Sequence, residues 1–274
     1  MQKLGFIGMG NMAQALCKGF ICSKKISQEN VFAYAPNQEK LSENSKRFGF
    51  TPCKTLESLV DSADTIIMAC KPYQIEGVLL QIKEKLAGKA LVSIAAGWSF
   101  EKYSKVINTN RPAHSEYNKT DIENVRVQFV MPNTPAMVAE GVFLFEKSNS
   151  LFEAERKEIM ELFTSIGIVQ ELDDSLMTVG MAVTGCAPAF VDLFIEAYAD
   201  AAVKYGMQRA AAYRLISQMV LGSAKLQLET GEHPGVLKDN VCSPGGTTIR
   251  GVAQLEKSGF RAACIDSIDA IMNK

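Results

Sequence analysis

The sequence predicts an α/β unit built on a mostly parallel sheet, followed by an all-helical unit. Three observations carry that prediction. Short β-rich runs alternate with stretches of helical spacing as far as Leu172. Two of those runs, Thr65–Ala69 and Ala90–Ala95, are apolar rather than alternating, as strands covered on both faces are. Beyond Leu172 the strand signals stop and long helical patterns take over.

Taken in order, the predicted strands are Leu4–Gly8, Val31–Ala35, Thr65–Ala69, Ala90–Ala95, Val125–Met131, Gly141–Phe145 and Ile168–Leu172. Helical spacing lies between them, as in Met12–Phe20, Glu39–Phe48 and Glu153–Ser165. The stretch Asn108–Asn124, polar and with one proline, reads as a surface loop between two strands. These elements place one domain over residues 1–172 and a second over 173–274. In the second, Ala187–Tyr205 and Ala210–Glu229 read as long helices, punctuated by Gly206 and Gly231. Phe190, Leu193, Phe194 and Ala197 form one apolar stripe, and Val191, Ile195 and Tyr198 form another on the same helix. A helix apolar on two sides is buried on two sides, which suggests packing against another subunit. A central helix within a monomeric bundle is the alternative.

Composition excludes several classes of function. The chain has 274 residues, enough for one large domain or two modest ones. Lys and Arg number 29 against 30 Asp and Glu, so charge gives no argument for nucleic acid or an anionic membrane. Hydrophobic residues at 47% predict a globular core. No apolar run approaches the roughly 18 residues needed to span a bilayer, and the first residues are too short for a secretory leader. The seven cysteines are scattered and contain no C-x-x-C pair, which reads as reduced thiols in a cytoplasmic protein. With two distant histidines, His114 and His233, a metal site is not expected.

The first chemical motif is Gly8-Met9-Gly10-Asn11-Met12-Ala13, which follows the first strand after Ile7 and opens a helix. This is the G-x-G-x-x-G/A pattern in its informative context. Gly8 allows the tight turn, Gly10 lets a pyrophosphate approach the backbone, and Ala13 lets helix and strand pack closely. A glycine turn that binds nothing is the plainer reading. The tip of the second strand, Ala35-Pro36-Asn37-Gln38, has no carboxylate to hold a ribose 2′-hydroxyl. Asn37, Gln38 and Lys40 could donate to a 2′-phosphate, which favours NADP(H) while leaving NAD(H) open. Two further strand ends, Ala69-Cys70-Lys71-Pro72 and Ala95-Ala96-Gly97, point at the same crevice. Lys71 could meet the cofactor or be solvated. Asn133, in Met131-Pro132-Asn133-Thr134-Pro135, could bond the nicotinamide side or cap a turn.

The second motif is Cys242-Ser243-Pro244-Gly245-Gly246-Thr247-Thr248-Ile249. A Gly-Gly pair before hydroxyl residues at a helix start makes an anion nest suited to a carboxylate. An ordinary N-cap supplied by Thr247 or Thr248 is the plainer reading.

In this order, Leu4–Ala13, Lys71-Pro72, Met131–Pro135, His233-Pro234, Leu237-Lys238-Asp239 and Ser243–Ile249 resemble the pyrroline-5-carboxylate reductases, from Leu4 to Met272. The resemblance implies a Rossmann-type dinucleotide-binding domain followed by an all-α dimerisation domain. It implies reduction of 1-pyrroline-5-carboxylate to L-proline with NAD(P)H, the last step of proline synthesis. It also implies a homodimer, or an oligomer of dimers, with the site at the subunit interface. On this chain the cofactor would be held by Ile7, Gly8, Gly10, Asn11, Met12, Ala35, Pro36, Asn37, Ala69, Cys70, Lys71, Pro72, Ala96 and Asn133. The substrate would meet Ser243, Gly245, Gly246, Thr247 and Thr248, with the Thr248 hydroxyl bonding the ring nitrogen as the catalytic group.

The sequence departs from that family's pattern at Phe129, where an arginine is usual, and Arg126 falls on the other face of the strand by its odd spacing. Thr184-Gly185-Cys186-Ala187-Pro188-Ala189 also differs but stays small. Three other readings stand beside this one: a reductase of a different cyclic imine, a β-hydroxyacid dehydrogenase, and a non-catalytic nicotinamide-binding regulator. Against the second, no lysine lies between Leu172 and Tyr198 to serve as general base.

Overall fold

The computed structural model describes residues 3–107 and 125–273; the loop read at Asn108–Asn124 lies outside them. By compactness the chain divides into two units, Met1–Gly185 and Cys186–Lys274.

The first unit is built on eight strands: β1 Leu4–Ile7, β2 Val31–Tyr34, β3 Thr51–Pro52, β4 Thr65–Met68, β5 Ala90–Ser93, β6 Arg126–Met131, β7 Gly141–Asn149 and β8 Gly167–Leu172. They form one sheet in the order β3-β2-β1-β4-β5-β6-β7-β8. All neighbours are parallel except β6 and β7, which run antiparallel. The helices are α1 Asn11–Cys22, α2 Gln38–Phe48, α3 Leu56–Ser62, α4 Ile75–Ile82, α5 Phe100–Ile107, α6 Glu153–Thr164 and the short α7 Met177–Met181. β4 and β5 are buried at every residue, as their unbroken apolar runs require.

The pleat sends alternate side chains to two cores. Leu4, Phe6, Ile67, Val92 and Val130 meet Leu16 and Phe20 of α1, Leu41 of α2, and Ile159 and Phe163 of α6. Ile7, Ile66, Met68, Leu91 and Val127 meet Leu59 and Val60 of α3, Ile75 and Leu79 of α4, and Tyr103 of α5. Helices therefore cover both faces of a mainly parallel sheet, the doubly wound arrangement. The order reverses between β1 and β4, so the switch-point crevice opens at their carboxyl ends. The predicted elements include neither the short β3 nor the helices α3–α5, although Ile75, Val78, Leu79 and Ile82 of α4 keep the i, i+3, i+4, i+7 spacing. β7 runs four residues beyond the predicted Phe145, carrying Glu146 into the sheet.

The second unit is α8 Ala187–Lys204, α9 Arg209–Thr230, α10 Pro234–Asn240, α11 Thr247–Lys257 and α12 Phe260–Met272. Gly231 ends α9 with a left-handed φ of 66°, the conformation for which glycine is suited. A single π-helical turn, Ala182–Cys186, precedes α8. Within residues 186–273 only Ala199 and Ala212 are buried, while Leu193, Leu215, Leu221, Leu226 and Leu228 are all more than half exposed. The helical run Asp174–Lys204 is long and apolar enough to cross a membrane by length and composition, although no uninterrupted apolar run stood out in sequence.

Candidate active site

At the crevice, Gly8 occupies a position no other residue can take. Its φ is +98°, and a Cβ there would stand 2.7 Å from the Cys70 nitrogen and 2.8 Å from the Ala69 carbonyl. The obstacle is backbone and cannot swing aside. The Gly8 N–H donates to Tyr34 O at 2.8 Å, tying the end of β1 to β2, while Ile7 O accepts from Ala69 N at 2.9 Å and ties it to the end of β4. Gly10 is different. It is the N-cap of α1 in extended conformation, and a Cβ there would meet nothing within 4 Å. No side chain caps α1, and its first turn holds no acid. The N–H groups at this helix start therefore face open space with the positive end of the helix dipole behind them. The pyrophosphate of a dinucleotide fits these residues: the helix start favours an anion, and the backbone is bare where one would sit.

The surrounding segments converge. Trp98, the single tryptophan, donates its indole N–H to Pro72 O at 3.1 Å, joining the loop after β5 to the loop after β4. Lys71 is exposed there and its ammonium makes no ion pair among the described residues. Cys70 is half-buried, and burial pushes its thiol up to about 11, so it packs as a neutral group.

Three expectations are modified. Asn37 is the N-cap of α2, accepting from Lys40 N at 2.9 Å, and only its amide N–H groups remain for a 2′-phosphate. Gln38 donates instead to Ala35 O and Cys53 O, at 2.9 and 3.3 Å, so its donors are already used. Asn133 is 5% exposed and acts as a strut. It donates to Thr184 O at 3.0 Å and accepts from Val142 N at 2.9 Å, holding the end of β6 against β7 and the π turn.

Phe129 packs with Met131, Leu144 and Met177. Arg126 points the other way, as the odd spacing requires. It is paired bidentately with Glu155 of α6 at 2.8 and 2.9 Å, so it does not replace an arginine at 129.

A second candidate segment lies in the helical unit. Gly245 has φ +68°, and Gly246 is the N-cap of α11. A Cβ on Gly246 would come 2.3 Å from Ser243 Oγ, which can rotate aside, and 3.0 Å from Ser243 O, a tight approach to backbone. Thr247 and Thr248 are the first two residues of α11 and neither caps it, contrary to the ordinary N-cap reading; no side chain does, and the first turn has no acid. One correction follows. The Gly246 N–H donates to Ser243 O at 3.0 Å, so a carboxylate would meet the N–H groups of Thr247 and Thr248 and not that of Gly246. Thr248 is exposed.

Sequence reading passed over Glu146 and Trp98. The lone tryptophan beside Ala96-Gly97 was a usable signal; Glu146 gave none, because its partner lies 46 residues away.

A doubly wound sheet with an anion-ready helix start at its switch point defines the dinucleotide-binding class of fold. The comparisons narrow this. Residues 174–274 match the family model described as pyrroline-5-carboxylate reductase dimerisation, and residues 3–97 match the one described as NADP oxidoreductase, coenzyme F420-dependent. The pyrroline-5-carboxylate reductase of Escherichia coli (strain K12) is 37% identical over 274 residues, covering 100% of this chain and 97% of the relative. That of Treponema pallidum (strain Nichols) is 37% identical over 270 residues, covering 98% of each. The crystal structure of Plasmodium falciparum pyrroline carboxylate reductase with NADP bound superposes with a TM-score of 0.84 at 32% identity, covering 98% of this chain and 95% of that one. The chain belongs to the pyrroline-5-carboxylate reductase family.

Proposed function

We propose that this chain reduces 1-pyrroline-5-carboxylate to L-proline with NADPH, the last step of proline biosynthesis, in the cytoplasm. NADH is the weaker cofactor. The observation that carries the reading is the bare, acid-free start of α11 beneath Gly245-Gly246, within the stretch that matches the dimerisation model, where a substrate carboxylate would be received. We keep residues 1–172 as the cofactor domain and 173–274 as the helical domain, the division at which strands give way to helices.

Ile7, Gly8, Gly10, Asn11 and Met12 would hold the pyrophosphate at the start of α1. Ala35, Pro36 and Asn37 would border the 2′-phosphate. Ala69, Cys70, Lys71, Pro72 and Ala96 would line the way to the nicotinamide, with Asn133 bracing the wall behind it. When bound, NADPH supplies a hydride from C4 of its nicotinamide.

The chain supplies geometry. The Thr247 and Thr248 N–H groups would grip the substrate carboxylate, with Ser243, Gly245 and Gly246 shaping the turn around it. The Thr248 hydroxyl would accept from the iminium N–H and donate to the amine that forms. A cyclic imine takes its proton from solvent, so no strong acid is needed, and neither glycine segment contains His, Asp or Glu.

The two halves lie in separate units, and we propose that two chains share each site. The support is the helical unit itself: with two buried residues among 186–273 it has no core of its own, and a second copy would cover its leucines. The same partner accounts for the apolar run Asp174–Lys204. Light scattering should report a dimer or a multiple of one; a stable, active monomer would overturn this part.

The test of function is oxidation of NADPH on adding 1-pyrroline-5-carboxylate. β-Hydroxyacids with NADP+, and cyclic imines lacking a carboxylate, should give far slower turnover. Comparable rates with either would move the assignment to one of the other enzyme readings. NADPH binding without turnover of any of them would favour a regulator.

A further inference from the structure

We propose that Glu146 is a positioning residue for the nicotinamide end of the cofactor, fastening from β7 the loops that carry Ala96 and Lys71-Pro72. The inference rests on the reading that those loops receive NADPH.

Glu146 is 3% exposed. Its Oε2 accepts from the N–H of Phe100, the first residue of α5, at 2.8 Å. A carboxylate at that point also meets the positive end of the helix dipole. Its own backbone is pinned, because Gln128 Nε2 donates to Glu146 O at 2.8 Å.

The next links belong to the loop. Ser99 O accepts from Tyr103 N at 3.1 Å, and Trp98 N donates to Ala95 O at 3.2 Å, closing a turn around Gly97 at φ +78°. The Lys102 ammonium donates to Gly97 O, and the Trp98 ring lies 4.7 Å from that of Tyr103. From Trp98 the indole N–H reaches Pro72 O. A path of direct contacts thus runs from β7 through α5 to both loops.

No cation pairs with the carboxylate. Glu146 makes no ion pair among the described residues. It lines a cavity of about 370 Å³ with Trp98, Lys102, Phe129, Met131 and Asp174. Lys102, the cation there, is engaged by Gly97 O. Asp174 and Glu101 are like-charged neighbours, and the facing residues of β6 and α7 (Gln128, Phe129, Met131, Met177, Thr178) carry no charge. Burial pushes the Glu146 carboxyl up to about 7, with the Phe100 bond opposing and the two acids adding. A buried acid without a cationic partner is a poor stabilising device. A group kept only for stability would serve better as Gln or Leu.

The test is the Kd of NADPH for wild type, Glu146→Gln and Glu146→Leu between pH 6 and 8.5, with thermal unfolding alongside. We expect Glu146→Leu to keep or raise the unfolding temperature while weakening NADPH about tenfold, and Glu146→Gln, which keeps an acceptor, to recover most of the loss. The 2′-phosphate also titrates in this range, so the pH readout is the ratio of wild type to Glu146→Gln. That ratio should move at least about threefold in favour of wild type as pH rises through 7. Parallel pH curves for the two, or wild-type affinity in Glu146→Leu, would overturn the proposal and leave the cofactor reading intact. Absence of NADPH binding by wild type would overturn both. If Glu146→Leu does not fold, the comparison with Glu146→Gln still decides.

Discussion

Gly8 and Gly10 stand two residues apart in one motif, and the geometry predicts that Ala will damage the protein in opposite ways at the two. At Gly8 the new Cβ would lie 2.7 Å from backbone while φ sits at +98°. Strain at a positive φ costs about 1–3 kcal/mol, and overpacking against an immovable neighbour about as much again. For a unit of this size the sum corresponds to a fall of roughly 5–20 °C in unfolding temperature. At Gly10 the Cβ meets nothing within 4 Å and φ is −76°. The stability cost is that of a poorer N-cap, within about 1 kcal/mol. The methyl would instead occupy the space the pyrophosphate needs, lengthening at least one charge-assisted N–H···O bond beyond bonding distance. One such bond is worth about 1.5–3 kcal/mol, or about 10–150-fold in Kd. NADPH titration followed by quenching of the lone Trp98, beside thermal unfolding of each variant, measures both quantities. Wild-type NADPH affinity in Gly10→Ala would refute the cradle, and an unchanged unfolding temperature in Gly8→Ala would refute the packing argument.

Other expectations follow from the same geometry. Thr248→Ala should lose about 10²-fold in kcat with NADPH affinity kept, and Thr248→Ser should be milder, checked by steady-state kinetics; a parallel fall in NADPH binding would make the residue structural. Asn37→Asp keeps the α2 cap, since Asp caps as well as Asn, so its effect isolates charge. NADPH should weaken while NADH does not, and equal losses for both cofactors would count against the 2′-phosphate site. Glu146 has its carboxyl raised from 4.5 to about 7, so the folded protein holds a proton there that the unfolded chain has lost. Its contribution to stability is present below pH 4.5 and lost as pH rises through 7. Glu146→Gln should therefore match wild type near pH 4.5 and exceed it by about 1–3 kcal/mol at pH 8.5, measured as the difference in thermal unfolding. An equal difference at both pH values would contradict the burial of that charge.

Local signals were the legible ones. The Gly8–Ala13 motif could be placed from sequence because strand, turn and helix follow one another directly, and the glycine needed at position 8 is explained by its neighbour β4. The long helices α8 and α9 were readable, α8 from its two stripes and both from the glycines that follow them. What escaped was set by distant partners. Asn133 bonds Thr184 across 51 residues, and Glu146 meets Phe100 across 46, and no spacing rule reports either. The exposed leucines of the helical unit were foreshadowed by the doubly apolar α8, although sequence alone left a monomeric bundle open. At Ser243–Thr248 the motif was visible but not which amides stay free, because that depends on the turn by which Gly246 bonds back to Ser243.

The central claim is that this chain passes a hydride from NADPH to the imine carbon of 1-pyrroline-5-carboxylate. Turnover with NADPH deuterated at C4 on the transferred face, followed by mass spectrometry and NMR of the product, tests it directly. The account predicts L-proline carrying one deuterium, on the ring carbon bonded to nitrogen and remote from the carboxylate. Proline without deuterium at that carbon, or deuterium retained wholly in the oxidised cofactor, would contradict it.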